Sequence, residues 1–112
     1  MEKNLDYIGK IVDVTIDRPL GSRHPKFSFD YKVNYGYIPD TISGDGEELD
    51  AYVLGEDKPL KTFKGKVIAI IRRLEEDDDK LIVVDPSKKF TNEEIEEMVA
   101  FQEQWFEHTI IR

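Results

Sequence analysis

Two apolar runs, 67–71 and 81–84, stand on either side of an unbroken acidic stretch, Glu75-Glu76-Asp77-Asp78-Asp79. Each run is shorter than an ordinary helix, and neither alternates as a strand with one wet face does. They predict two buried strands joined as a hairpin, with the five carboxylates at its tip.

The rest of the chain adds strands and then one helix. Residues 10–17 alternate, with Ile11, Val12, Val14 and Ile16 marking a strand that Pro19 and Gly21 end. An extended, aromatic-rich region is expected over 26–38, holding Phe27, Phe29, Tyr31, Tyr35 and Tyr37. Residues 40–48 read as a loop, with Gly44, Gly46 and four carboxylates, and 49–54 as a short strand closed by Gly55. Thr91 followed by Glu94 is a capping-box signature. Ile95, Met98, Val99, Trp105 and Phe106 recur at helical spacing, predicting an amphipathic helix of roughly four turns. Five or so short strands and one helix predict a mainly β fold, a small OB-type five-stranded barrel with a C-terminal α-helix.

At 112 residues the chain is expected to be a single domain, 1–112, with a modest core. It has no cysteine, which excludes thiol catalysis and thiolate metal sites. No stretch reaches the roughly 18 apolar residues of a membrane span, and no signal-type run opens it. A soluble, cytoplasmic protein without a membrane partner is expected. The formal charge of −8 works against nucleic-acid backbones. It leaves room for a small anion where cations, including divalent metal ions, collect.

Two carboxylate clusters invite such ions. In Asp45-Gly46-Glu47-Glu48-Leu49-Asp50, an extended path puts Asp45 and Glu47 on one face and Asp50 on the other. A turn at Gly46 instead gathers all three. Hard divalent cations prefer oxygen ligands, so the loop suits magnesium; a solvated acidic turn accounts for the same residues. The tip at 75–79 is open to both readings too, and Lys80 opens the strand after it, where an ammonium can contact phosphate. Upstream lie Asn34-Tyr35-Gly36-Tyr37-Ile38-Pro39 and, on a turn between Pro19 and Pro25, Arg23 and His24. Tyrosine hydroxyls and a bidentate guanidinium both suit an oxyanion. His24 and His108 have no metal-ligand spacing.

In order and spacing these segments resemble the soluble inorganic pyrophosphatases. The carriers are Asn34-Tyr35-Gly36-Tyr37-Ile38, the Asp-Gly-acid-x-hydrophobic-Asp motif that begins ten residues after Tyr35, the tip ending Asp78-Asp79-Lys80, and Trp105-Phe106-Glu107-His108. The resemblance runs from about Val12 to His108 and implies a shortened bacterial- or archaeal-type member. It implies that Asp45, Asp50 and Asp78 coordinate Mg2+, with Glu75 at the place of a further acidic ligand. It implies Glu47 as the carboxylate that helps deprotonate the nucleophilic water, Arg23, Tyr35 and Lys80 as phosphate contacts, and Asp17 at the site's edge. The implied substrate is pyrophosphate or a related small phosphoanhydride, and a homo-oligomer is in keeping with it.

The chain departs from that pattern in three places. Glu47 stands where the family has Asp, one methylene shorter. The segment 18–25 is too short to carry a Lys and a Glu that the family places on the following strands. Thr109 and Ile110 fall where a Tyr-Lys pair contacts phosphate. These losses keep a rival reading open, a non-catalytic metal- or phosphate-binding barrel descended from the same family.

Overall fold

The computed structural model describes residues 4–39, 41, 48–76 and 78–112. A short 3-10 turn, Leu5–Tyr7, precedes β1 (Ile11–Arg18). β2 (Asn34–Ile38), β3 (Leu49–Val53), β4 (Thr62–Arg73) and β5 (Asp78–Val84) follow, then helix α1 (Asn92–Glu103) and a last strand, β6 (His108–Ile111).

The first five strands close into a ring in the order β1-β2-β3-β5-β4, with β1 pairing back onto β4. β3 and β5 run parallel and the other pairs antiparallel. This is the mainly β, OB-like arrangement that the strand count predicted. β4 makes closure workable by serving two neighbours on one edge. Its residues 62–66 pair with β1, and its residues 70–73 pair with β6. Between them the register with β5 shifts at Val67/Ala69, leaving Ile68 unmatched. Such a bulge bends and twists a strand, as a ring requires.

β5 explains the unbroken apolar run. Leu81 and Val83 enter the ring's core beside Val14, Ile38, Ala51 and Val67. Ile82 and Val84 face outward beneath α1, against Ala69, Ile71, Ile95 and Val99. A strand covered on both faces has no wet side to alternate with. Each of these aliphatic side chains contributes about 1.5–3 kcal/mol by leaving water.

Two residues of the tyrosine-rich motif are architectural. Asn34 is fully buried; its Oδ1 accepts from the Leu20 and Leu60 N–H groups, and its Nδ2 donates to the Lys58 carbonyl. A Cβ on Gly36 would lie 1.9 Å from the Thr15 carbonyl oxygen, so only glycine lets β2 lie this close to β1.

The structure revises two expectations. Extended structure over 26–38 shrinks to β2, because residues 21–31 double back on themselves. Tyr31 N–H donates to the Ser22 carbonyl, His24 N–H donates to the Phe29 carbonyl, and Arg23 bridges to Asp30. The capping box at Thr91 and Glu94 forms, but α1 ends at Glu103 after 12 residues, so Trp105 and Phe106 lie beyond it. The free edge of β4 captures the β-branched Thr109, Ile110 and Ile111, and residues 104–107 turn the chain toward it.

Candidate active site

Strand alternation carries polar side chains onto the face that α1 covers elsewhere. Asp78, Lys80, Ile82 and Val84 share one face of β5, as do Ile71 and Arg73 on β4, and Asp50 and Tyr52 on β3. At the Val84 end this surface is apolar under the helix; at the Asp78 end it is charged. Pairing registers then bring the charges together, because Asp50 is opposite Lys80 and Arg73 is opposite Asp78.

Lys80 is the centre of the cluster. Its ammonium donates to Asp50 Oδ2 at 2.9 Å and to Asp78 Oδ2 at 3.2 Å. The Tyr35 hydroxyl donates to the same Asp50 oxygen at 2.9 Å. Arg73 Nη1 stands 3.5 Å from Asp78 Oδ2. Burial pushes the Asp78 carboxyl up from its usual range, and the Lys80 and Arg73 charges offset only part of that. Burial, and then the Asp50 charge, push the Tyr35 hydroxyl well above 10, so it remains a neutral donor.

A second, fully buried network fixes Arg73 from behind. Its Nε and Nη2 donate to Glu103 at 3.1 and 2.8 Å, and the Tyr52 hydroxyl donates to Glu103 Oε2 at 2.5 Å. Gln102 Nε2 donates to that hydroxyl at 2.7 Å, and Gln102 Oε1 accepts from the Tyr31 hydroxyl at 3.0 Å. Burial opposes both charges of the pair. The hydrogen bonds outweigh it, raising Arg73 and holding Glu103 below the usual carboxylate range. The Arg73 guanidinium also lies 3.7 Å from the Phe106 ring centroid. Sequence reasoning missed this network. Glu103 looked like one more acid of an acidic helix, yet its spacing from Ile95 and Val99 puts it on the core face. Arg73 continues the helix-facing alternation of Ala69 and Ile71.

Tyr35, Asp50, Arg73 and Lys80 form the floor of a cleft of about 950 Å³. Asp17 and Arg18 also line it. Asp17 is the extra residue where the β1–β2 register shifts, and burial raises its carboxyl. An aromatic wall, built from His24, Phe27, Phe29, Trp105 and Phe106, completes the lining. His24 shapes that wall, because its Nδ1 accepts from the backbone N–H groups of Lys26 and Phe27 at 3.0 and 3.2 Å. Partial burial lowers its pKa, favouring the neutral ring that can accept.

Of the residues singled out in the sequence, Tyr35, Asp50, Asp78 and Lys80 meet. Arg23 does not join them; it is exposed, pairs with Asp30 at 3.3 Å and lies outside the cleft lining. Glu75 is exposed on the turn between β4 and β5. Asp45 and Glu47 fall outside the described residues. Thr109 is exposed on β6, and Ile110 packs against the outer core. Among the described residues no three acidic or histidine side chains gather as a metal site. Asp50 and Asp78 do converge on one cation through hard oxygens, which fits magnesium as far as two ligands go.

The family profile described as inorganic pyrophosphatase matches residues 11–110. This chain belongs to the inorganic pyrophosphatase family. The inorganic pyrophosphatase of Rickettsia prowazekii is 31% identical over 98 residues, covering 69% of this chain and 57% of the relative. That of Neisseria meningitidis serogroup A is 32% identical over 101 residues, with 70% and 56% covered. The chain thus spans little more than half the length of these pyrophosphatases. A crystal structure of inorganic pyrophosphatase from Ehrlichia chaffeensis superposes with a TM-score of 0.68 at 19% identity, covering 90% of this chain and 84% of that one. The likeness confirms the pyrophosphatase fold. No helix among the described residues is long and apolar enough to cross a membrane.

Proposed function

We propose that this chain hydrolyses inorganic pyrophosphate, or a related small phosphoanhydride, to phosphate with magnesium as cofactor. One observation carries the reading: Asp50, Lys80 and Tyr35 converge at the floor of a cleft, with Asp78 bonded to Lys80, in a member of this family. Asp50 and Asp78 would hold magnesium, with Asp45 and Glu75 as further ligands. Magnesium supplies an acidified water and charge stabilisation at the phosphoryl group. Glu47 takes the proton as water adds to phosphorus, and the bridging oxygen leaves with the electron pair of the broken P–O bond. Lys80 and Tyr35 donate hydrogen bonds to phosphate oxygens. A cytoplasmic, homo-oligomeric enzyme that binds no nucleic acid is part of the same reading.

One observation favours the rival, a phosphate-binding barrel without turnover. Lys80 and Arg73 already neutralise the two described carboxylates, as in a site built to work without metal. Phosphate release from magnesium pyrophosphate by the purified chain decides between them. The hydrolase reading expects metal-dependent release that Asp50→Asn abolishes; no release, with pyrophosphate still bound, supports the rival.

A further inference from the structure

We infer that the cleft takes a phosphoanhydride carrying a flat aromatic base, a nucleoside diphosphate, with its base on the aromatic wall and its phosphates on the charged floor. This rests on the reading of the floor as a phosphoanhydride site and names the substrate class that the whole cleft fits.

Two of the wall's rings are expensive to leave in water. Phe27 and Trp105 are 60% and 62% exposed, and both line the cleft. Apolar surface of this kind beside a polar floor marks a binding site. The rings form a continuous ladder. Trp105 stacks on Phe29 at 5.4 Å, Phe29 meets Tyr31 at 5.8 Å, and Tyr31 meets Tyr35 at 5.4 Å. Tyr35 ends the ladder with its hydroxyl on Asp50. A ligand lying along it passes from ring faces to charged groups without leaving the cleft.

Charge on the floor is nearly balanced. The described charged groups lining the cleft are the cations Arg18, Lys26, Arg73 and Lys80 against the carboxylates Asp17 and Asp50, in a chain of formal charge −8. Asp17, Asp78, Glu103 and Asp50 already pair with Arg18, Arg73 and Lys80, so the floor by itself gives a phosphate chain limited purchase. Stacking supplies affinity that needs no charge, because every base has a π face. The reaction is unchanged in kind: water adds to the terminal phosphorus, the anhydride P–O bond breaks, and the nucleoside monophosphate leaves with the electron pair. Orthophosphate and one proton complete the balance.

Trp105 is the chain's one tryptophan, so its fluorescence reads the wall directly. The test titrates the purified chain with ADP, adenosine and pyrophosphate, and measures phosphate release from ADP and pyrophosphate with magnesium. The expected result is saturable quenching by ADP, weaker quenching by adenosine, and competition by pyrophosphate that does not itself quench. Phe27→Ala, at an exposed position that leaves the fold intact, is expected to lower kcat/KM for ADP roughly tenfold more than for pyrophosphate. Equal losses for both substrates, or no quenching by ADP, overturn the proposal. A concentration-dependent blue shift of Trp105 with a matching rise in mass also overturns it, since a second copy of the chain then covers the wall. Quenching by ADP with no phosphate release from either compound retains the base site and removes the hydrolase reading.

Discussion

Arg73, the last residue of β4, and Glu103, the last residue of α1, meet through two hydrogen bonds of 3.1 and 2.8 Å, with Glu103 wholly out of water. The pair joins helix to sheet directly behind the candidate site. Glu103→Gln leaves the buried Arg73 charge with only the more distant Asp78 and Glu76 carboxylates, and a loss of up to about 3 kcal/mol is expected in urea unfolding at pH 7. Because Glu103 is held below its ordinary 4.5, its contribution is complete above that value and fades as pH falls through the lower folded value. The gap between parent and variant is therefore expected to narrow in that acid window. A Gln variant as stable as the parent at pH 7 refutes the role given to the pair.

Lys80 bridges two carboxylates and, on the proposed reading, turns toward phosphate when substrate arrives. Lys80→Met removes a charge-assisted contact worth roughly 1.5–3 kcal/mol, so KM for pyrophosphate is expected to rise by about ten- to a hundredfold. Calorimetry with magnesium alone is expected to show tighter binding in this variant, since Asp50 and Asp78 lose a competing cation. Unchanged KM would mean that Lys80 serves the carboxylates only.

Glu47 tests the family's substituted position. Glu47→Gln is expected to lose most turnover with magnesium affinity retained, since an amide cannot take the water's proton. Glu47→Asp restores the shorter acid and is expected to keep measurable activity. A fully active Gln variant removes Glu47 from the chemistry.

His108 ties β6 to α1. Its Nε2 lies 2.7 Å from Glu96 Oε1, and its Nδ1 lies 2.8 Å from the Phe106 carbonyl oxygen. Burial opposes the imidazolium, but the Glu96 and Phe106 contacts outweigh it and raise the pKa above the ordinary 6.5. The stabilisation is thus full below 6.5 and is lost as pH rises through the folded value. Glu96 is half exposed, so Glu96→Gln is expected to cost no more than about 1 kcal/mol, and only on the acid side. Thermal unfolding of both proteins at pH 5.5 and 8.5 measures it; an equal difference at both pH values contradicts the assignment.

Gly36→Ala drives a methyl group into the Thr15 carbonyl. Overpacking against backbone that cannot yield is expected to cost about 3 kcal/mol or more, seen as a lower urea midpoint or an insoluble product. A soluble variant with the parent's midpoint would mean that β1 and β2 can part without loss.

Much of this was legible in the residues, and the failures have physical causes. β5 and the far half of β4 announced themselves because a strand buried on both faces has to be apolar throughout. The meeting of Asp50, Asp78 and Lys80 followed from motif order, and strand pairing realises it. Pairing is also what concealed the rest. Trp105 and Phe106 keep helical spacing, yet the unfilled edge of β4 draws the next residues into β6. Phe27 and Phe29 read as strand residues because nothing local reveals the His24 turn that sends them to the cleft wall. Arg73 and Glu103 were hidden by composition, since a lone buried acid does not stand out in a helix rich in glutamate.

The parallel pairing of β3 with β5 has a consequence for the order in which the molecule is made. Asp50 and Lys80 meet only after β4 has run across and returned, and Arg73 is fixed only once Glu103 and the helix are in place. No early hairpin contains the floor of the cleft. Contacts so distant in sequence form slowly, because the intervening chain must be ordered before they are made. The charged floor is therefore among the last features to assemble, and among the first lost to truncation from the C-terminal side.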